Sequence, residues 1–267
     1  MKGEINLLIK TTGDNELLLL GYEKCDDLVW DKDHPKIVLW SGGADSTLLM
    51  LELATMCKVN NMPLHTLSVD IGYIQRTKHE LEDKARKKIL DILKEKGFDI
   101  KNSWVDVNQE LEYFNPMHTQ ICLPQQFLWT MVGLQLVPKN SDIFFGYIKG
   151  DDFWMMMDKT EQILKISNDW LHLNTKFHYP YQCQPKSAIY ERLHRVNMLQ
   201  YIWTCEQPDE FGEPCEICAP CRHRRDALFE LAMLGAEWAK ELLEKENHIV
   251  LDWANYSKKE EKLICQQ

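Results

Sequence analysis

The chain has 267 residues, 45% of them hydrophobic and 27% charged, a balance that is typical of a globular protein with one large domain. Its formal net charge of −10 is the opposite of the basic face that nucleic-acid phosphates require, so we expect no nucleic-acid partner. No run approaches the roughly 18 consecutive apolar residues of a membrane helix, so we expect a soluble, cytoplasmic protein without a membrane partner.

Two short apolar stretches, INLLIK and ELLLLGY, lie near the start of the chain and are separated by the turn residues TTGDN. This pattern predicts a β-hairpin. Because the pattern changes at Lys36, we expect residues 1–35 to form a small appendage in front of the main domain.

From Lys36 onward, segments typical of strands alternate with segments typical of helices. The predicted strands read KIVLW, LHTLSVD, SWVDV and SDIFFGYI. The predicted helices read STLLMLELATMC, HELEDKARKKILDILKEKG and PQQFLWTMVGLQLVP; a loop and helix follow in DDFWMMMDKTEQILKISNDWL, and one final helix covers RDALFELAMLGAEWAKELLEK. Such alternation requires crossover connections, so the sequence predicts a doubly wound α/β fold with a mainly parallel sheet.

The stretch SGGADS follows the first of these strands and opens a helix, at the sheet edge where such folds bind ligands. Gly42 and Gly43 permit a tight turn that brings backbone N–H groups to a phosphate, and Ser41 and Ser46 add hydroxyl groups. A Walker loop would place a lysine after its glycines, and none follows here. Because that lysine serves transfer of the γ-phosphoryl group, its absence favours attack at the α-phosphate. A tight turn without a ligand is the alternative.

Four of the nine cysteines crowd into one short segment, and the other five are scattered along the chain. The clustered residues are Cys205, Cys215, Cys218 and Cys221. Four thiolates close a tetrahedral Zn²⁺ site, which would be structural because it leaves no open position. An iron–sulfur cluster and uncoordinated thiols are the alternatives. The odd count and the clustering favour reduced thiols over a disulfide framework.

The loop SGGADS resembles the PP-loop ATP pyrophosphatase superfamily. Together with the late segment WTCEQPDEFGEPCEICAPCRHR, it resembles the 7-cyano-7-deazaguanine synthase (QueC)-like family over most of residues 36–230. The resemblance implies an adenine nucleotide alpha hydrolase-like PP-loop fold with a C-terminal zinc knuckle and helix. It also implies an ATP-dependent C–N ligase that joins 7-carboxy-7-deazaguanine to ammonia and cleaves ATP to AMP and pyrophosphate.

The resemblance assigns roles to residues in two parts of a site. ATP and Mg²⁺ would be held by Ser41, Gly42, Gly43, Asp45, Ser46 and Asp70, and the catalytic residues would be Asp45 and Lys186. The acid would be bound by Gln125, Gln126, Gly146, Asp152 and Asp158. Outside the resemblance, a lysine that starts a helix and paired loop acids are commonly just solvated.

The acceptor part departs from the family pattern. Gln126 and Phe127 stand where the family has arginine and asparagine, and Met155, Met156 and Met157 replace a Gly-Tyr-Pro run. Ordinary core packing and a soft, adaptable surface are both uses of such a methionine run. These departures leave open a defence-associated enzyme that conjugates the acid to a protein amine, a PP-loop tRNA-modifying enzyme, and an inactive nucleotide-binding module.

We therefore expect three parts in the chain. Residues 1–35 would form the hairpin appendage, residues 36–200 the PP-loop ATP-binding domain, and residues 201–267 the zinc-binding and C-terminal helical segment. ATP and a deazapurine acid would be the small-molecule partners, with ammonia or a protein amine as acceptor. A homodimer is left open.

Overall fold

The computed structural model of the chain describes residues 10–11, 17–18, 33–70, 76–106 and 125–247. At the N-terminus, β1 (Lys10–Thr11) pairs antiparallel with β2 (Leu17–Leu18). The turn and the outer parts of the predicted hairpin lie outside the described residues. The division of the chain into three parts stays a prediction.

The central sheet has five parallel strands, as the alternating pattern predicted. These are β3 (Lys36–Leu39), β4 (Leu64–Asp70), β5 (Ile100–Asp106), β6 (Asp142–Phe144) and β7 (Lys176–His178). Their order across the sheet is β5-β4-β3-β6-β7. In the centre, Val38 of β3 is in register with Thr66 of β4 and with Phe144 of β6.

Seven helices connect and cover the described strands. They are α1 (Ala44–Val59), α2 (Arg76–Glu95), α3 (Gln125–Leu136), α4 (Met157–Leu171), α5 (Lys186–Arg195), α6 (Ala219–Met233) and α7 (Glu237–Asn247). Short 3₁₀ helices span Asp152–Met156 and Leu199–Tyr201. None of the described helices is long and apolar enough to cross a membrane.

Both faces of the sheet are covered, because successive residues of a strand point to opposite faces. Val38 packs with residues of α1, α5, α6 and α7, whereas its neighbour Ile37 packs with Leu134 of α3 and Leu164 of α4. Most of α1 is buried, which explains why its sequence is apolar on every side. The predicted α/β fold with a mainly parallel sheet is thereby confirmed.

The strand order creates a switch point beside the first strand of the sheet. The chain runs outward from β3 through β4 to β5, and then returns to the other side of β3 as β6. Crossovers leave β3 and β6 toward opposite faces, so a crevice opens between their carboxyl ends. The glycine loop that begins at Ser41 follows β3, and Gly146 follows β6, so both predicted site segments meet at this crevice.

The C-terminal helix differs from the prediction of one continuous element. It is divided into α6 and α7 at Gly235, whose φ of +91° lies in the left-handed region. The Gly235 N–H donates to Ala232 O at 3.1 Å and the Ala236 N–H to Leu231 O at 3.0 Å, the two bonds of a Schellman motif. The apolar periodicity runs through this break, which is why the sequence suggested a single helix.

A buried ionic cluster joins the three strands β3, β6 and β7. The Lys36 ammonium donates to Asp142 Oδ2 at 2.6 Å, and His178 Nε2 lies 3.1 Å from Asp142 Oδ1. Lys36 and Asp142 are 0% and 2% exposed. Burial favours the neutral acid, but hydrogen bonds from His178 and Lys36 outweigh it and hold the pKa of Asp142 well below its ordinary range.

Candidate active site and cysteine knuckle

The glycine loop is held in shape by its own serines and by a left-handed glycine. Gly42 has a φ of +90°, which an L side chain rarely adopts. The hydroxyls of Ser41 and Ser46 lie 3.0 Å apart, and the Gly43 N–H donates to Ser41 Oγ at 3.3 Å. The first bond of α1 runs from the Thr47 N–H to Gly43 O, so the N–H groups of residues 44–46 point out of the helix start, toward the crevice. This arrangement suits an anion such as a phosphate.

Gly146 approaches the loop so closely that a side chain would not fit. A Cβ added at this position would lie 2.8 Å from the backbone N of Ser46 and 3.0 Å from the carbonyl carbon of Asp45. The neighbouring atoms belong to backbone and cannot swing away. A glycine is therefore required here by contact with the loop, and not by its own backbone angles.

Lys186, at the start of α5, donates a hydrogen bond to Asp45 Oδ2 in the first turn of α1. Both side chains are about one-fifth exposed, at 21% and 22%. Burial favours the neutral amine, but the charge of Asp45 outweighs it and raises the pKa of Lys186. Asp45 Oδ1 is buried and has no hydrogen-bond partner within the described segments. The site thus contains the Lys186 ammonium and one carboxylate oxygen, Asp45 Oδ1, that is available beside the start of α1.

Arg86 of α2 contacts the loop from the other side, and no sequence pattern assigned it a role. Its Nη1 donates to the carbonyl of Ser41 at 3.0 Å, and its Cγ would lie 3.1 Å from a Cβ added at Gly42. Its Nη2 lies 3.4 Å from both carboxylate oxygens of Asp70, which also accepts from Trp104 Nε1 at 2.8 Å. Asp70, predicted to bind ATP, is therefore linked to the loop through Arg86.

The predicted acid-binding residues fall in two places. Gln126 Nε2 donates to Asp152 Oδ1 at 3.1 Å, which ties α3 to the 3₁₀ helix. Asp158 lies exposed in the first turn of α4. Gln125 begins α3, but its side chain is outside the described part of the structure. Gly146 thus contacts the loop, whereas Asp152 and Asp158 are exposed.

Asp151 is an acid that the sequence analysis passed over. Its Oδ2 accepts from the Ile148 N–H at 2.7 Å. Burial, together with the negative charges of Asp45 and Asp152, raises the pKa of Asp151 to about 6. The ionisation of Asp151 therefore depends on the charges of Asp45 and Lys186 at the loop.

The methionine run does not pack into the core as a unit. Met155 is 83% exposed, whereas Phe153 beside it is buried. Phe153 stacks on Tyr147 with ring centroids 3.8 Å apart, and this aromatic cluster fills the space behind the run. Core packing, one of the two interpretations of the run, is wrong for Met155.

The four clustered cysteines meet in one buried knuckle, as their spacing predicted. The sulfur atoms of Cys205, Cys215, Cys218 and Cys221 all lie within 4.8 Å of one another. The Cys215 N–H donates to Cys205 Sγ and the Cys218 N–H to Cys215 Sγ, each at 3.3 Å. Such bonds stabilise thiolates, so the donor set fits a closed four-thiolate metal site.

The knuckle contacts the glycine loop directly through Trp203. The Trp203 N–H donates to Gly42 O at 3.3 Å, and the indole N–H of the same residue donates to Cys205 O at 2.8 Å. Trp203 also packs against the buried cysteines. One residue therefore connects the metal-binding segment with the loop that precedes α1.

The remaining described cysteines differ from one another. Cys57 is a buried free thiol, and burial raises its pKa to about 12. Cys183 is disulfide-bonded. The expectation of reduced thiols is thus wrong for Cys183, because an odd count and scattered positions do not indicate which thiols the fold brings together.

Comparisons with known proteins agree with this geometry. The chain matches the family described as "Queuosine biosynthesis protein QueC" over residues 35–232. No match was found among curated proteins. Among solved structures, the U34-tRNA thiolase NcsA from Methanococcus maripaludis, with its [4Fe-4S] cluster, is 17% identical, with 81% of this chain and 73% of that chain covered and a TM-score of 0.46. At this score the likeness supports no inference about function.

Proposed function

Because this chain belongs to the QueC family, whose PP-loop fold uses ATP, we propose that it is an ATP-dependent C–N ligase. Its substrate would be a 7-carboxy-7-deazaguanine-like acid, and its acceptor ammonia. The observation that carries this proposal is the position of Lys186. It reaches the loop from α5 and pairs with Asp45, in a loop that has no Walker lysine.

Two balanced steps make up the proposed reaction. A carboxylate oxygen of the acid attacks the α-phosphorus of ATP, the bond to the bridging oxygen breaks, and pyrophosphate leaves. The amine then attacks the carbonyl carbon of the acyl adenylate, AMP leaves with the bonding electrons, and the amine loses a proton to solvent. Conversion of the amide into a nitrile would repeat the activation on the amide oxygen.

The loop would hold the leaving group and not the group that is transferred. The N–H groups at the start of α1 would bind the pyrophosphate oxygens, with the positive end of the helix dipole behind them. A side chain at position 146 would push against the Ser46 N–H, so the glycine preserves the shape of this helix start. The free Oδ1 of Asp45 is the orphaned buried oxygen expected of a Mg²⁺ ligand, so the residues present fit MgATP.

Lys186 would stabilise the negative charge that develops at the α-phosphate. Its raised pKa keeps it protonated near neutral pH, so no proton has to be acquired before the reaction. In a partly buried site such a preorganised cation stabilises the transition state without reorganisation of water. Asp45 would orient the ammonium through the hydrogen bond that the structure contains.

Structural Zn²⁺ is the metal that we propose for the knuckle. Four thiol groups with no open position suit a closed tetrahedral site, and the knuckle lies beside the loop and outside the crevice. An iron–sulfur cluster is the alternative. Metal analysis of protein purified without oxygen distinguishes the two: about one zinc per chain is expected, and iron with acid-labile sulfide would contradict it.

Met155 favours a second candidate acceptor, a protein amine. Its side chain is 83% exposed and lies in the same 3₁₀ helix as Asp152, so it offers an apolar surface that ammonia does not need. A lysine or N-terminal amine of a partner protein would then attack the same acyl adenylate. The product would be an amide-linked deazaguanine on that protein.

The direct experiment is incubation with ATP, Mg²⁺, 7-carboxy-7-deazaguanine and ammonia, followed by mass spectrometry of small molecules and protein. Amide or nitrile would support the ligase with ammonia, and a deazaguanine adduct on an added protein would support the second candidate. Unchanged ATP would favour the inactive nucleotide-binding module, and modification of added tRNA would favour a tRNA-modifying enzyme. The Asp45→Asn variant is the control and should leave the acid unmodified.

A further inference from the structure

Three side chains of metal-ligating types converge between β4 and α2, and none of them belongs to the cysteine knuckle. Asp70 ends β4, and His79 and Glu82 lie one turn apart on α2. One ligand atom from each residue lies within 4.8 Å of the other two. All three side chains are mostly buried, with 4%, 18% and 14% exposed.

His79 is the residue that distinguishes this group from an ordinary ion-pair cluster. Its two ring nitrogens are buried, and neither has a hydrogen-bond partner in the described part of the chain. Nδ1 lies 3.5 Å from Asp70 Oδ2 and 3.8 Å from Glu82 Oε2, which is too far or too poorly aligned for a hydrogen bond. A buried imidazole without partners is costly, whereas two carboxylates facing it at this distance leave room for a cation between them.

The surrounding groups hold the ligands as the outer shell of a metal site would. Trp104 Nε1 and Arg86 Nη2 donate to Asp70, which fixes the carboxylate. Lys78 approaches the other oxygen of Glu82, Oε1, at 3.7 Å and leaves Oε2 toward His79. Hydrogen bonds to ligating carboxylates are a common feature of metal sites.

We propose that Asp70, His79 and Glu82 bind one divalent transition-metal ion, separate from the knuckle and from the Mg²⁺ of ATP. One imidazole nitrogen with two carboxylate oxygens suits Mn²⁺, Fe²⁺ or Zn²⁺ better than Mg²⁺, which prefers oxygen ligands alone. The remaining positions would be filled by water.

The location gives this ion a role at the loop. The backbone carbonyl of Glu82 would lie 3.6 Å from a Cβ added at Gly42, so the turn of α2 that carries two of the ligands packs on the loop glycine. A bound ion would fix that turn and the end of β4 together, and thereby Arg86, which donates to Ser41 O. The ion would thus be a positioning element for the ATP loop.

Titration with Mn²⁺ of protein that carries only the one zinc ion of the knuckle, followed by electron paramagnetic resonance and without nucleotide, tests the proposal. We expect one tightly bound Mn²⁺ per chain, displaced by Zn²⁺. His79→Gln and Glu82→Gln should each weaken Mn²⁺ binding by at least about 10-fold, since loss of even an outer-shell partner costs about 10–100-fold. Glu80→Gln, which removes an exposed carboxylate from the same turn, is the matched control and should bind as the wild type does.

Two results would contradict the proposal that these three residues bind a metal ion. One is a wild-type protein that takes up neither Mn²⁺ nor any zinc beyond that of the knuckle. The other is equal Mn²⁺ binding by the wild type and both ligand variants. Should a variant fail to fold by circular dichroism, electron spin-echo spectroscopy of wild-type Mn²⁺ replaces it, because coupling to an imidazole nitrogen is required and its absence contradicts the site. No turnover is measured, so failure of the ligase proposal would leave this test intact.

Discussion

Lys186 Nζ donates to Asp45 Oδ2, although 141 positions of the chain separate the two residues. The fold makes this contact possible, because α5 begins beside the same carboxyl edge of the sheet at which α1 begins. A cation is thereby supplied to the loop from a distant helix. In a Walker loop it would come from the residue that follows the last glycine.

Gly146→Ala should weaken ATP binding while the protein stays folded. The added Cβ would lie 2.8 Å from Ser46 N, and backbone on both sides resists movement. Overpacking of this kind costs about 1–3 kcal/mol, which is roughly 5- to 150-fold in affinity. Isothermal titration calorimetry with an ATP analogue that cannot be cleaved between its α- and β-phosphates measures the change in affinity.

Gly133→Ala is the matched control for that substitution. Its added Cβ would meet the Leu39 side chain at ordinary distances of 3.6 and 3.8 Å, and alanine favours the helix in which Gly133 lies. Equal affinity of the two variants for the analogue would show that the close approach of Gly146 does not matter for ATP.

Trp203→Phe should raise the KM for ATP without loss of the knuckle metal. The variant keeps the ring but loses the hydrogen bond from the indole to Cys205 O, so Trp203 would hold Gly42 less firmly. A lost hydrogen bond costs about 0.5–1.5 kcal/mol, or roughly 2- to 10-fold in KM, with kcat little changed. Kinetics and metal analysis of the same preparation provide both readouts.

The exposed Trp170→Phe substitution is the control for Trp203 and should leave the KM for ATP unchanged. A Trp203→Phe protein that binds ATP normally, or that loses its metal, would reject a positioning role for this residue.

Asp142→Asn should destabilise the protein by about 3–5 kcal/mol, because it leaves the buried ammonium of Lys36 without this carboxylate. Urea unfolding measures the loss. The Lys36→Met/Asp142→Leu double variant should regain most of it, since an apolar pair of similar size also removes the buried positive charge. A single variant as stable as the wild type would mean that the cluster does not stabilise the sheet.

The ionisation of Asp151 should make the free energy of unfolding fall as the pH rises. Its pKa is raised from the ordinary 3.8 to about 6, so between these values the folded state binds more protons than the unfolded state. The contribution of a group of this kind is present at low pH and is lost as the pH rises through its folded pKa. Asp151→Asn should reduce this part of the slope between about pH 4 and pH 6. Parallel urea-unfolding profiles of variant and wild type across this range would contradict the assignment.

Local sequence patterns predicted the parallel sheet, the glycine loop and the cysteine knuckle, because each depends on residues that are close in the chain. The short strand β7 was missed, since KFH is too brief to show alternation. Arg86 was not predicted to lie in the site, because α2 contains many charged residues and no motif distinguishes this one. The signal was present, however, because Arg86, Ile89 and Leu93 recur on one helical face, which the structure buries.

Contacts between distant segments were beyond the reach of the sequence. Nothing in the residues around Trp203 indicates that its backbone meets Gly42, and nothing around Asp151 indicates that its charge lies near that of Asp45. The resemblance to the family did place Lys186 in the site, but only the fold brings it to Asp45. The identities of the acid substrate and of its acceptor depend on the shape of the crevice, which sequence patterns do not predict.

The products formed from ATP test the central claim most directly. With α-³²P-labelled ATP, Mg²⁺, 7-carboxy-7-deazaguanine and ammonia, wild-type protein should release AMP and pyrophosphate, and Lys186→Met should lower the rate by about 10²–10³-fold, the usual cost of removing one preorganised charge-stabilising group. Release of ADP and phosphate, or a Lys186→Met rate equal to that of the wild type, would contradict chemistry at the α-phosphate.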